Sequence, residues 1–488
     1  MPCVPFAPFD SFRMIHQRYD AIVVGSGPNG LAAAITLAQM GHSVLVIEAR
    51  STIGGGLRSS PLTLPGFTHD VCSAIHPLAI ASPFFRSIDL KPHGLEWIQP
   101  EIPLAHPLDD GTAALLHRSV ADTAKHLRAD GPAYRQLLEP IVCNMDTLLE
   151  DVLAPPRVPR HLAVTARFGL RAIQSANGLA KRKFGHEPAR ALWAGLAAHG
   201  VLPLESTLSS AAGLLLGAAG HAYGWPLPRG GAQQVANALA DYLRSLGGEV
   251  ATDRPVESLR ELPAVRVVLL DVTPSQLDQI AGDVLPEHYR RKLLRFRHGP
   301  GVFKVDWALS APVPWRATDC ARAATVHVGG TLDEVASAER AAFHGETNHR
   351  PFVLVVQPSL FDPSRAPQGQ HILWAYCHVP HGSTADMTEQ IEAQIERFAP
   401  GFRGLVLARH TMAPADFNRY NANYVGGDIT GGIMDLRQVL ARPVLSRCPY
   451  AVPAANLFLC SSSTPPGPGV HGMCGYHAAR AAMRVLRK

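Results

Sequence analysis

Gly25, Ser26, Gly27, Pro28, Asn29 and Gly30 form a GxGxxG run, and Glu48 stands 23 residues beyond its first glycine. These residue types at this spacing can hold a diphosphate. Gly25 permits a tight turn, Gly27 lets backbone N–H groups approach the phosphates, and Gly30 lets a helix pack closely on a strand. A helix starting at Pro28 would add unpaired N–H groups and a partial positive charge at its N-terminus. Glu48, followed by Ala49, can accept from ribose hydroxyls and would repel the 2′-phosphate of NADP. Next come Gly54, Gly55, Gly56 and Arg58, where adjacent glycines let the chain pass beside a large cofactor. A second glycine-rich run, 461–475 (SSSTPPGPGVHGMCG), joins a strand end to a helix start. A dinucleotide long enough to touch both runs is FAD.

These groups need a scaffold. Residues 19–25 (YDAIVVG) and 43–49 (SVLVIEA) are short apolar runs flanking 28–40, whose apolar spacing is helical, so the turn sits in a strand, helix, strand unit. In 231–246, Val235, Leu239, Tyr242, Leu243 and Leu246 share one helical face, and Gly247 and Gly248 terminate it. Strand-like runs follow at 249–253, 266–272 and 456–460, with a final helix over 475–486. Distant segments would thus build one sheet. The intervening stretches mix helical patterns with strand-like runs such as 352–357 (FVLVVQ) and 371–377 (HILWAYC). The expected class is α/β: a discontinuous Rossmann-type FAD-binding domain (15–85, 225–299 and 416–488) with an inserted α+β substrate domain (86–224 and 300–415).

Of the 488 residues, 47% are apolar and 17% charged, which fits a large globular protein rather than a disordered chain. The net charge is +5, and the basic residues are scattered without interleaved aromatics, so nucleic-acid binding has little support. The eight cysteines contain no CxxC pair, which removes a zinc ribbon and a dithiol redox centre, and reduced thiols are the default. Residues 1–20 lack the charged start and apolar run of a secretory signal, and Met14 is a second candidate start. The apolar stretch 208–220 is too short to cross a bilayer. A cytoplasmic protein, in solution or resting on a membrane surface, is expected. His471, Cys474 and His477 form HxxCxxH, but no fourth ligand stands out and no metal is expected. In 302–309 (VFKVDWAL), alternation puts Lys304 and Asp306 on one strand face as an ion pair. Tyr223 and Trp225 are candidate pocket walls.

Together, the segment 19–49 with IGGGLRSS, PGFTHDVCSAIHPL, GWPLPRGGAQQVANALADYLRSLGGEV, VFKVDWAL, NYVGGDITGG and LCSSSTPPGPGVHGMCGYHAAR resembles the phytoene desaturase-like FAD-dependent oxidoreductases. The branch it resembles is that of pyridine nucleotide-disulfide oxidoreductase domain-containing protein 2. The resemblance spans nearly the whole chain. It implies flavin-linked removal of hydrogen from carbon. The disulfide part of the branch name does not carry over without a CxxC, and a carotenoid substrate does not follow from membership.

By the same resemblance, Gly25, Gly27, Gly30 and Glu48 hold the ADP half of FAD, and Gly54, Gly55 and Arg58 lie near the pyrophosphate and flavin. Val256 meets the adenine through its backbone, Ser462 and Ser463 lie by the ribityl and phosphate groups, and Gly469, Val470 and His471 run along the isoalloxazine. A helix starting near Gly472 points its N-terminus at the pyrimidine ring, where reduced flavin is negative. The resemblance also puts His76 and His471 beside the flavin, which makes them the first candidates for a catalytic base, ahead of His69 and Lys304.

The expected activity is an FAD-dependent dehydrogenase or desaturase acting on CH–CH groups of an apolar or semi-polar small molecule. Outside the two glycine-rich runs already read as touching FAD, no GxGxxG between strand and helix supports a separate NAD(P)H site, so oxygen, a quinone or another carrier would be the electron acceptor. The alternatives are a flavin amine oxidase, a redox-neutral flavin isomerase and a flavin-fold binding protein with little turnover.

Overall fold

The computed structural model describes residues 19–487. The expectations for 1–18, including Met14, the absent signal and Cys3, lie outside the described residues. Five short parallel strands form one sheet in the order Leu457–Leu459, Val267–Leu270, Ala21–Val24, Val44–Ile47, Glu249–Ala251. These strands are apolar almost without interruption, as a parallel sheet covered on both faces requires. Ala21, Val23, Val44, Val46, Val267 and Leu269 pack into a core shared with three helices, Pro28–Ala38, Gln233–Ser245 and Met473–Leu486. Ile22, Val24, Leu45, Ile47 and Leu270 face the other way, with Leu277 and Ala281 of Pro274–Ala281 and Leu293 of Glu287–Leu293. The sheet is the Rossmann type expected.

The helices found at Pro28–Ala38 and Gln233–Ser245 follow the sequence periodicity closely. The last helix begins at Met473, two residues before the expected start, because Gly472 takes φ 67° and turns the chain into it. Gly475 then permits a close approach. A Cβ there would stand 1.8 Å from the Asn29 carbonyl oxygen, so the N-terminal ends of the first and last helices meet only through glycine.

A second sheet has seven strands in the order Val406–Met412, Gly301–Leu309, His371–Val379, Val353–Val356, Ala323–Val328, Ile102–Pro107, Ala113–Leu116. All neighbours are antiparallel except Ala323–Val328 with Ile102–Pro107. Side chains alternate across a strand. Phe303, Val305 and Trp307 therefore enter a core with Ile391, Ile395 and Phe398, while Val302 and Lys304 face a cavity. Helices between Val120–His126 and Ser210–Ala222 wall the opposite side of that cavity. Among the described residues no helix is long and apolar enough to cross a membrane.

Candidate active site

One cavity of about 1580 Å³ runs from the carboxyl ends of the parallel strands to the second sheet. Ligands of open α/β sheets bind beside such strand ends. Gly25 has φ 101°, and its N–H donates to Ile47 O at 2.8 Å, tying the first two strands together at the turn. A Cβ on Gly30 would lie 2.0 Å from Gly25 O, which explains the third glycine. Gly27 caps the helix without a side chain, leaving its N-terminal end open to the cavity.

Glu48 is buried and accepts from both sides. Its Oε2 takes Ser26 N–H at 3.0 Å and the Ser26 hydroxyl, and its Oε1 takes Arg50 N–H at 2.9 Å and Arg58 Nη2 at 3.0 Å. Arg58 also donates through Nε to Thr52 O at 2.9 Å and lies 5.4 Å over the Tyr420 ring. A guanidinium held at three points can turn a fixed edge to an anion. Gly55 passes so close to the turn that its Cβ would be 3.1 Å from Gly27 Cα, and Gly56 leaves room for Tyr424 Oη.

The cavity is lined by Gly25, Ser26, Gly27, Pro28, Asn29, Glu48, Ala49, Gly55, Gly56, Arg58, Val256, Ser462, Gly469, Val470, His471 and His76. Three expected cofactor residues do not reach it. Gly30 lies behind the turn, and Gly54 sits at φ 116° with its N–H donating to Ser26 O at 3.1 Å. Ser463 directs its hydroxyl to Gly431 O at 3.0 Å, away from the opening. Each acts on the shape of the loop instead.

His76 is 1% exposed, and neither ring nitrogen has a hydrogen-bond partner. Its backbone N–H donates to Pro226 O at 2.9 Å, and its ring is 5.8 Å from that of Trp97. Burial pushes its pKa down to about 4, against the pull of Asp70, so the ring is neutral at pH 7. His471 differs. Met473 N–H donates to its Nδ1 at 3.0 Å, so the neutral ring carries its proton on Nε2 and presents a donor, not a base. The physical reason is the helix start, where an unpaired N–H takes the nearest acceptor.

His69 is buried away from the cavity, with Nε2 2.8 Å from Thr63 Oγ1 and Nδ1 3.6 Å from Asp306. Lys304 lines the cavity but bonds to Asp306 in the ion pair expected from the alternation. Trp225 lines the cavity, whereas Tyr223 bonds to Asp146 outside it. Cys474 Sγ lies 3.5 and 3.4 Å from the carbonyls of Thr464 and Gly467, burial pushes its thiol up to about 12, and His477 Nε2 pairs with Leu153 O at 2.9 Å.

Several site residues escaped sequence reading. Asp271, at the end of Val267–Leu270, accepts Gly30 N–H at 3.0 Å beside the glycine turn, and burial pushes its carboxyl up to about 7. The strand end before Thr273 and Pro274, a helix cap and first-turn proline, was the signal available. Arg442 is 2% exposed and donates to the carbonyls of Thr430, Gly431, Gly432, Ile433 and Ser462, which holds the second glycine-rich run in place. His199 lines the cavity with Nε2 2.9 Å from His327 Nε2.

FAD fits these residues. The glycine cradle would be filled by any Cβ, Asn29 Oδ1 is buried at the helix start without a partner, and the donor set suits a diphosphate and ribose. Residues 29–486 match the family described as flavin containing amine oxidoreductase. Pyridine nucleotide-disulfide oxidoreductase domain-containing protein 2 of Rattus norvegicus is 27% identical over 97% of this chain and 94% of its own length. Phytoene desaturase (neurosporene-forming) of Rhodobacter capsulatus is 23% identical over 93% and 92%. The solved structure of cyclohexylamine oxidase from Brevibacterium oxydans shares the fold, with TM-score 0.60 and 16% identity over 97% of this chain and 100% of that one. With its Rossmann-type sheet and glycine cradle, the chain is an FAD-dependent oxidoreductase that belongs to the flavin containing amine oxidoreductase family.

Proposed function

We propose that the protein is a dehydrogenase of the desaturase kind, removing hydrogen from a CH–CH unit of an apolar or semi-polar small molecule. The observation that carries this reading is the continuity of the cavity: beyond the glycine turn its walls are Phe168, Leu215, Leu354, Val356, Trp374 and Tyr376. Such a lining would bind a hydrocarbon-rich body and exclude water from the reacting carbons. FAD, when bound, supplies the two-electron acceptor, with oxygen or a quinone taking the electrons onward.

The chain's own groups have separable tasks. The turn from Gly25 to Asn29 would hold the diphosphate, Glu48 the ribose, and Arg58 the anionic charge. Asp271 supports this, since a carboxyl pushed up to about 7 is partly neutral and lessens repulsion of a phosphate. Ser462, Gly469 and Val470 would shape the flavin end, and Val256 the adenine end. His76, neutral and without a partner, would take the proton lost from carbon, while His471 would offer an N–H donor. The segments 15–85, 225–299 and 416–488 would then serve the cofactor, and 86–224 and 300–415 the substrate.

The test is anaerobic mixing of FAD-loaded protein with a metabolite extract, following flavin bleaching and identifying the consumed compound by mass. A compound that bleaches the flavin and loses two hydrogens between carbons supports the reading. The family match favours a second reading, amine oxidation. Bleaching by amines alone, with an imine or aldehyde product, would establish that reading and overturn the first. A product equal in mass to its substrate, formed without acceptor, would indicate an isomerase, and a flavin that no compound reduces would indicate a binding protein.

A further inference from the structure

We propose that the surface around one mouth of the cavity docks on an anionic phospholipid bilayer, so that apolar molecules pass from the membrane into the chamber. The purpose of docking rests on the substrate reading above, but docking itself can be measured without turnover. The mouth is marked by Pro156, Arg157 and Ile173, which line the cavity and are also exposed.

Around it stand large apolar side chains in water. Val158 is 79% exposed, Leu162 61% and Leu170 72%. Single exposed leucines are ordinary, but a group around an opening marks an interaction surface. Leu162 and Leu170 belong to the helix Leu162–Ala172, which buries Phe168 and Ala172 against the chamber. A second edge of the cavity repeats the pattern: Leu436, Leu440 and Leu445 are 40%, 58% and 78% exposed, and the first two line the cavity.

The charge around these leucines is mostly positive, with Glu150, Asp151 and Asp435 at its margins, each paired with an arginine. Residues 152–186 contain seven Lys or Arg and no Asp or Glu, and no acid occurs from 436 to 488. Arg157 and Arg160 face Asp151 and Glu150 across 3.6 Å. Exposed Arg167, Arg437 and Arg447 have no ion pair among the described residues. Arginine heads among exposed aliphatic side chains suit an interface where phosphates lie over acyl chains. A bilayer would cover the leucines and also hold apolar molecules at the opening, whereas a protein seated there would close it. A nucleic acid would use the arginines but leave the leucines in water.

The experiment is co-sedimentation of the FAD-loaded full chain with vesicles of phosphatidylcholine alone and of phosphatidylcholine with phosphatidylglycerol. Binding is expected only to the anionic vesicles and should weaken as salt rises. Each arginine at such a surface contributes about fivefold in affinity, so Arg167→Ala with Arg447→Ala should weaken binding by about 25-fold. Leu162→Ser with Leu170→Ser should abolish what binding survives high salt. Flavin content and circular dichroism check that each variant is folded. Failure of the parent to bind anionic vesicles, or equal binding by the charge variant, overturns the proposal. So does a parent that forms dimers lost in the leucine variant without binding vesicles. If docking holds while no apolar metabolite bleaches the flavin, the docking stands and the desaturase reading falls. The reverse result removes the docking alone.

Discussion

Replacing Lys304 by Met tests how the polar floor of the chamber is held. The side chains of Lys304 and Asp306 are 1% and 0% exposed, and the pair is completed by His69 at 3.6 Å from Asp306. Met has a similar length and no charge, so the substitution leaves a carboxylate buried with His69 alone. Breaking a buried pair from one side costs about 3–5 kcal/mol. For 488 residues unfolding as one unit, the entropy of unfolding is about 1 kcal/mol/K, so Tm should fall by about 3–5 °C. The slope with pH gives a sharper test. In the parent, burial raises the Asp306 carboxyl but the Lys304 charge and His69 outweigh it, leaving its pKa below the ordinary value. That stability is present above the unfolded carboxyl pKa of about 3.9 and is lost as pH falls through the lower folded value. Without Lys304, burial prevails and the folded pKa rises above the unfolded one. Relative to the parent, the folded variant then binds the extra proton and gains stability as pH falls from neutral towards the unfolded carboxyl value of about 3.9. Thermal melts of parent and variant followed by circular dichroism across that pH range, with FAD in excess, read both effects. Adding Asp306→Leu should restore most of the loss, since an apolar replacement of a buried pair is often neutral. An unchanged Tm in Lys304→Met, or a double variant no more stable than the single one, refutes the reasoning.

Gly30→Ala should yield protein nearly free of flavin, measured as flavin absorbance per chain, because a Cβ 2.0 Å from Gly25 O must displace the turn. Glu48→Gln removes the charge that receives Ser26, Arg50 and Arg58. Charged hydrogen bonds contribute about 1.5–3 kcal/mol, so the Kd for FAD should rise by about 10- to 100-fold in a flavin fluorescence titration. With the His76 ring held to about 4 and needed in its neutral form, kcat/KM should be level from about pH 5 to 8 and fall only as pH drops through about 4. His76→Gln should lower kcat by about 10²- to 10⁴-fold, and an unchanged kcat would remove His76 as the base.

The dinucleotide turn was legible because its requirements are local. Three glycines, an apolar strand on each side and an acid at the next strand end are all written within residues 19–49, and each follows from backbone sterics or from hydrogen-bond chemistry over a few residues. The helix Gln233–Ser245 and the alternation that pairs Lys304 with Asp306 were legible for the same reason, since a period of 3.6 or of 2 is visible in a short window.

Tertiary structure decided what depends on contacts between distant segments. Asp271 lies 241 positions from Gly30, and nothing in its neighbourhood announces that its carboxyl meets that N–H. Arg442 is one of 38 arginines scattered along the sequence, yet it is buried under five carbonyls. His76 and His471 were equal as candidates until the helix start at Met473 engaged one of them. The sequence alone thus determined the class of fold, the FAD cradle and the apolar strands that build them. Which carboxyl is half-neutral, which imidazole is free, and where the chamber opens were left to long-range packing, because burial and hydrogen-bond partners belong to the folded chain and not to any local stretch of it.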